Sequence, residues 1–87
     1  MLDKYRGEID KIDNAFVDLL SKRLKISNKI GILKKDNGLK VYDAKREIEL
    51  INSLEKIGLE KGLDKKYIKD VFQVILRESR RVQGEMK

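Results

Sequence analysis

Apolar residues along the first third of the chain step by alternating threes and fours: Leu2, Tyr5, Ile9, Ile12, Phe16 and Leu19, then Ile26, Ile30 and Leu33. That spacing is the seam of a single long helix, because residues three and four apart share one face. Asp3 can cap its start, and Asp36-Asn37-Gly38 supplies a stop. The pattern predicts a helix from about Lys4 to Lys35, which at 1.5 Å per residue is about 48 Å long. A compact chain of this size is only about 30 Å across. The helix therefore overhangs its own domain and exposes its seam, and dimerisation is the simplest remedy.

A second helix is predicted from Asp43, as N-cap, through Ile48, Leu50, Ile51, Leu54 and Ile57 to Gly58. Gly58 to Gly62 reads as a loop or frayed turn. A third helix follows Asp64, with Tyr67, Ile68, Val71, Phe72, Val74, Ile75, Val82 and Met86 as its apolar face. No segment alternates apolar and polar residues long enough to read as a strand, and proline is absent. The expected fold is all-α: one long, one short and one medium helix in a single domain over residues 1–87, intertwined as a homodimeric bundle.

Composition narrows the chemistry. The 87 residues are 40% hydrophobic and 41% charged, so apolar groups must be spent in narrow stripes. There is no cysteine and no histidine, which removes disulfides, thiolate nucleophiles, Ser-His-Asp triads and the usual zinc sites. The carboxylates sit mostly beside lysines on exposed faces, so neither a metal nor another cofactor is expected. Lysine and arginine number 21 against 15 acidic residues, a net charge of +6. Lys65, Lys66, Lys69, Arg77, Arg80 and Arg81 could form a nucleic-acid surface. The five aromatic residues are not interleaved with a basic loop, however, so a solvated basic face is the better reading. No apolar run resembles a signal peptide or a membrane span, and a cytoplasmic protein is expected.

Chemistry should lie where polar residues interrupt the apolar stripes, because an unpaired buried polar group is costly. The first seam calls for an apolar residue at position 23 and has Arg23. Lys34, eleven residues on, is rotated by about 20° and displaced by about 16 Å, so it shares that face. Ser79 and Gln83 stand i,i+4 on the third stripe, and Asp43, Arg46 and Glu47 cluster at the start of the second helix. Singly, each has a structural role available. Arg23 could pair with Glu47, Lys34 could complement a helix dipole, Ser79 and Gln83 could fix register, and Asp43 could be only a cap. Together, two cations, an amide and a hydroxyl directed at one interior volume suggest a pocket for a small anion.

The ordered pieces Tyr5-Arg6-Gly7-Glu8-Ile9-Asp10, Leu19-Leu20-Ser21-Lys22-Arg23, Ile30-Gly31-Ile32-Leu33-Lys34, Val41-Tyr42-Asp43-Ala44-Lys45-Arg46-Glu47 and Phe72-Gln73-Val74-Ile75-Leu76-Arg77-Glu78-Ser79, ending at Gln83, resemble the all-helical chorismate mutases. The resemblance covers nearly the whole chain. It implies a site for chorismate built from Arg6, Arg23, Lys34, Asp43, Arg46, Glu47, Ser79 and Gln83, with Arg6 donated by the neighbouring protomer. The geometry agrees, since Arg6 lies about 25 Å from Arg23 along the helix and about 100° around it.

By the same resemblance, chorismate is rearranged to prephenate without nucleophile or proton transfer, on the route to phenylalanine and tyrosine. Arg6 and Arg23 would hold the two carboxylates, supported by Arg46 and Ser79. Lys34 and Gln83 would donate to the ether oxygen, and Asp43 and Glu47 would engage the ring hydroxyl or orient the cations. Lys40 stands where the family often has proline. Two other readings share these features: an isochorismate–pyruvate lyase of the same fold, and a non-catalytic helical dimer that binds partners. Docking on another shikimate-pathway enzyme is open to the mutase.

Overall fold

The computed structural model describes residues 1–85. Helix α1 runs from Leu2 to Asp36, 35 residues and about 52 Å by its rise. Its N-cap is Met1, with no side-chain cap bond. Asp3 is thus not the expected cap but lies inside the first turn, where its charge meets the positive end of the helix dipole. The stop falls where predicted: Asn37 Nδ2 donates to the Leu33 carbonyl at 2.7 Å, and Gly38 takes φ 66°, a conformation that a Cβ disfavours.

Helix α2 spans Ala44–Glu60, and Asp43 caps it, its Oδ1 accepting from the Arg46 amide at 3.0 Å. The expected end at Gly58 is wrong. The helix continues through Gly58, and the turn waits for Gly62 at φ 79°, where Leu63 N–H returns to the Gly58 carbonyl at 2.8 Å. Gly58 serves packing instead: a Cβ there would lie 2.8 Å from Ile68 Cγ1. Local sequence does not distinguish a glycine needed for close approach from one needed for a turn.

Helix α3 spans Lys65–Arg80, capped by Asp64, whose Oδ2 accepts from the Tyr67 amide at 3.2 Å. The continuous helix expected through Val82 does not persist. It widens into a single π turn over Arg81–Glu85 and breaks at Gly84, φ 113°. Met86 lies outside the described residues.

Helices α2 and α3 form an antiparallel hairpin, with Gly58 meeting Ile68 at one end and Glu47 meeting Arg80 at the other. The C-terminal half of α1 lies along the end of α3 and the π turn. Among the described residues there is no strand, and no helix is long and apolar enough to cross a membrane.

The core is sparse: among the described residues, Ile68 and Leu76 are its buried apolar side chains. Leu76 was absent from the expected apolar face, whereas Tyr67 and Val74, which were on it, are more than half exposed. The molecule measures 55 × 24 × 17 Å with a radius of gyration of 15.8 Å, against about 12 Å for a compact chain of this length. Its accessible surface is 7381 Å², where a compact monomer of this mass would expose about 5,300 Å².

Candidate active site

One cavity of about 350 Å³ lies between the C-terminal half of α1, the start of α2 and the end of α3. Arg23, Ser27 and Lys34 reach it from α1, and Asp43, Arg46 and Glu47 from the cap and first turn of α2. Ser79 and Arg80 come from α3, and Gln83 from the π turn. Apolar side chains complete the wall, among them Ile26, Ile30 and Leu76. Ile26 and Ile30 thus line an open pocket rather than a closed core, consistent with their exposure of 58% and 41%.

Seven of the eight residues singled out in the sequence meet here. The eighth, Arg6, does not: it is exposed on the N-terminal half of α1, outside the cavity of its own protomer.

The partnerships differ from the simplest readings. Arg23 does not pair with Glu47. The Glu47 carboxylate is taken by Arg80, whose Nη1 donates to both oxygens at 2.6 and 2.7 Å. Arg80 also lies over the Tyr42 ring, 5.2 Å from its centroid. Burial lowers the pKa of the Arg23 guanidinium, and the like charge of Arg46 lowers it further. A half-buried guanidinium with a second, exposed one beside it is a site waiting for negative charge.

Lys34 is not merely a dipole complement. Its Nζ donates to the Val41 carbonyl at 2.7 Å, which ties the loop containing Lys40 to α1 and leaves two ammonium protons for other acceptors. Asp43 is a cap, yet it also lines the cavity. Ser79 Oγ accepts from Gln83 Nε2 at 3.2 Å and lies 2.6 Å from Ser27 Oγ. Gln83 is brought in by the approach of the π turn to α1: a Cβ on Gly31 would lie 2.7 Å from Gln83 Cα.

Sequence reasoning missed Ser27 and Arg80. Ser27 stands four residues after Arg23 and seven before Lys34, so the face they share was a usable signal. Arg80 had none, because its role depends on Glu47, 33 residues away. Arg80 was read as part of a solvated basic face, but its side chain is only 21% exposed. With Glu47 it also borders a second, more open cavity, lined in addition by Tyr42, Gln73 and Arg77.

Counted formally, four cations and two carboxylates line the cavity between the three helices, an excess of two positive charges. That excess suits a small dianion. Residues 5–84 match the family described as chorismate mutase type II. The chain belongs to that family.

The relatives agree with it. The chain is 36% identical over 78 residues to the T-protein of Enterobacter agglomerans, covering 90% of this chain and 21% of that protein. It is 24% identical to the chorismate mutase of Methanocaldococcus jannaschii, over 97% of this chain and 85% of that one. A solved structure described as a conserved hypothetical protein from Pyrococcus furiosus superposes with a TM-score of 0.77. It is 38% identical, covering 94% of this chain and 93% of the other. The chain spans about a fifth of the length of the T-protein and of the bifunctional chorismate mutase/prephenate dehydratases of Buchnera aphidicola that it matches.

Proposed function

We propose that the chain is a chorismate mutase, converting chorismate to prephenate as a cytoplasmic homodimer with two symmetry-related sites. The observation that carries this reading is the cavity's excess of two positive charges, set beside amide and ammonium donors. Chorismate is a flexible dianion. The rearrangement breaks a C–O bond and forms a C–C bond in one step, and it needs a compact conformer together with donors at the ether oxygen, where negative charge develops.

Arg23 and the partner's Arg6 bind the carboxylates, with Arg46 and Ser79 in support. Bidentate geometry is available to the guanidinium groups. Lys34 and Gln83 donate to the ether oxygen. Asp43 engages the ring hydroxyl, and Glu47, held by Arg80, fixes the polar wall opposite. A millionfold acceleration requires about 8 kcal/mol of preferential transition-state binding. Groups already held in place before substrate arrives can contribute much of it, because they need little reorganisation.

The dimer is supported by the exposed seam. Leu2, Tyr5, Ile9, Ile12, Phe16 and Leu19 are all 48–62% exposed. The surface in excess of a compact monomer, about 2,000 Å² per protomer, falls in the range that obligate dimers bury. A partner α1 crossing on this seam supplies the missing Arg6.

The test is to mix the purified protein with chorismate and identify the product by acid conversion to phenylpyruvate, with sedimentation giving the mass. Saturable prephenate formation by a dimer is expected. A folded dimer inert toward chorismate overturns the reading, and pyruvate release from isochorismate would then favour the lyase.

A further inference from the structure

The Gln83 carboxamide poses a problem that its own residues do not solve. Nε2 donates to Ser79 Oγ at 3.2 Å, while Oε1 is buried with no hydrogen-bond partner among the described residues. Ser79 Oγ lies 2.6 Å from the hydroxyl of Ser27, and both serines are buried, at 6% and 4% exposure. A hydroxyl has one proton to give and two lone pairs to receive with. The Ser79 proton can therefore go to at most one of its two neighbours.

If Ser79 gives its proton to Ser27, it accepts from Gln83 Nε2, and the amide keeps an unpartnered oxygen. If Ser27 gives its proton to Ser79, the Ser79 proton is available to Gln83. The amide then turns over, a half-rotation of its terminal torsion that occupies the same volume. Oε1 becomes satisfied, and the NH2 group takes the unpartnered end.

The two directions have opposite consequences for an ether oxygen gaining negative charge: a bare carbonyl repels it and an N–H stabilises it. We propose that Ser27 is a positioning residue, whose hydroxyl sets the direction of the Ser27–Ser79–Gln83 chain so that Gln83 presents its N–H to the substrate. This rests on the chorismate mutase reading above, and it assigns a role to a residue outside the eight. Ser27 touches no reacting atom. It acts through Ser79 on Gln83.

The test is a double-mutant cycle on the full dimer with chorismate as substrate. Ser27→Ala removes only the hydroxyl and introduces the best helix former, so the fold should survive. Losing one neutral hydrogen bond should lower kcat about fivefold, with KM changed less than twofold. Ser27→Thr, which keeps the hydroxyl, should restore kcat to within about twofold of wild type. In a Gln83→Ala background, Ser27→Ala should change kcat by less than about twofold, because the group it positions is gone.

An undiminished kcat in Ser27→Ala overturns the proposal. So does an equal fivefold loss in both backgrounds, or Ser27→Thr as impaired as Ser27→Ala, since either would mark a packing role. A wild-type dimer without turnover overturns the mutase reading itself, and the proposal with it. That outcome is distinguished by the wild-type control alone.

Discussion

The two halves of α1 carry the same apolar spacing and meet opposite fates. From Met1 to Leu19 every residue is exposed, and a Cβ added at Gly7 would find nothing within 4 Å. From Leu20 onward the helix is engaged: Ser27 and Gly31 are buried, Arg23, Leu24 and Lys34 are half-buried, and Gly31 abuts the Gln83 backbone. Periodicity thus says that a face will be covered without saying by what. The C-terminal half is covered by the chain's own α3 and π turn, and the N-terminal half is the face on which the proposed dimer would close.

The largest effect expected from breaking this contrast is at the arginines, one on each half. Arg23→Ala should lower kcat/KM by about a thousandfold, as for other truncations of a desolvated charge contact, and Arg6→Ala should be comparably damaging. Mixed and re-equilibrated, the two inactive variants should recover about a quarter of wild-type activity if subunits pair at random. Half of the dimers would then be mixed, each with one intact site. No recovery, with subunit exchange verified by mass, would place Arg6 outside the site.

Next in size is Gln83→Glu. A carboxyl can donate to the ether oxygen only when protonated, whereas an amide donates at every pH. Wild-type kcat should be flat from pH 6 to 8. The variant should lose about tenfold per pH unit above the pKa of its carboxyl. A flat profile in the variant would remove the proton-donor role of position 83.

Smaller effects should separate the glycines. Gly31→Ala forces a methyl against Gln83 Cα at 2.7 Å. Overpacking of that kind costs about 1–3 kcal/mol, read as a lower melting temperature together with impaired turnover. Gly7→Ala lies off the seam with open space around it and should raise stability by about 0.8–1 kcal/mol through helix propensity alone. Thermal unfolding at fixed protein concentration would measure both. A destabilised Gly7→Ala would mean that the partner presses on more of α1 than its seam.

Much of the fold was legible because its signals are local. Asp43 and Asp64 each act on an amide three residues on, and Gly38 ends α1 through its own φ. The seven pocket residues were legible because helical spacing places polar groups on known faces and family resemblance ordered them. What failed was partner choice. Glu47 was open to Arg23 and took Arg80; Gly58 looked like a stop and proved a packing site for Ile68; the end of α3 widened into a π turn that carries Gln83 against Gly31.

The sequence by itself determined three helices, the Asp43 and Asp64 ends of two of them, and a long seam too extended for its own domain. Tertiary structure alone decided which side chains touch: the Arg80–Glu47 pair, the Ser27–Ser79–Gln83 chain and the crowding of Arg23 by Arg46. The reason is physical. Helix propensity and capping act over three or four residues, whereas the Arg80–Glu47, Ser27–Ser79 and Arg23–Arg46 contacts join positions 23 to 52 residues apart. The long-range members form only where three helices leave room for a cavity, and no repeat along the chain encodes that geometry.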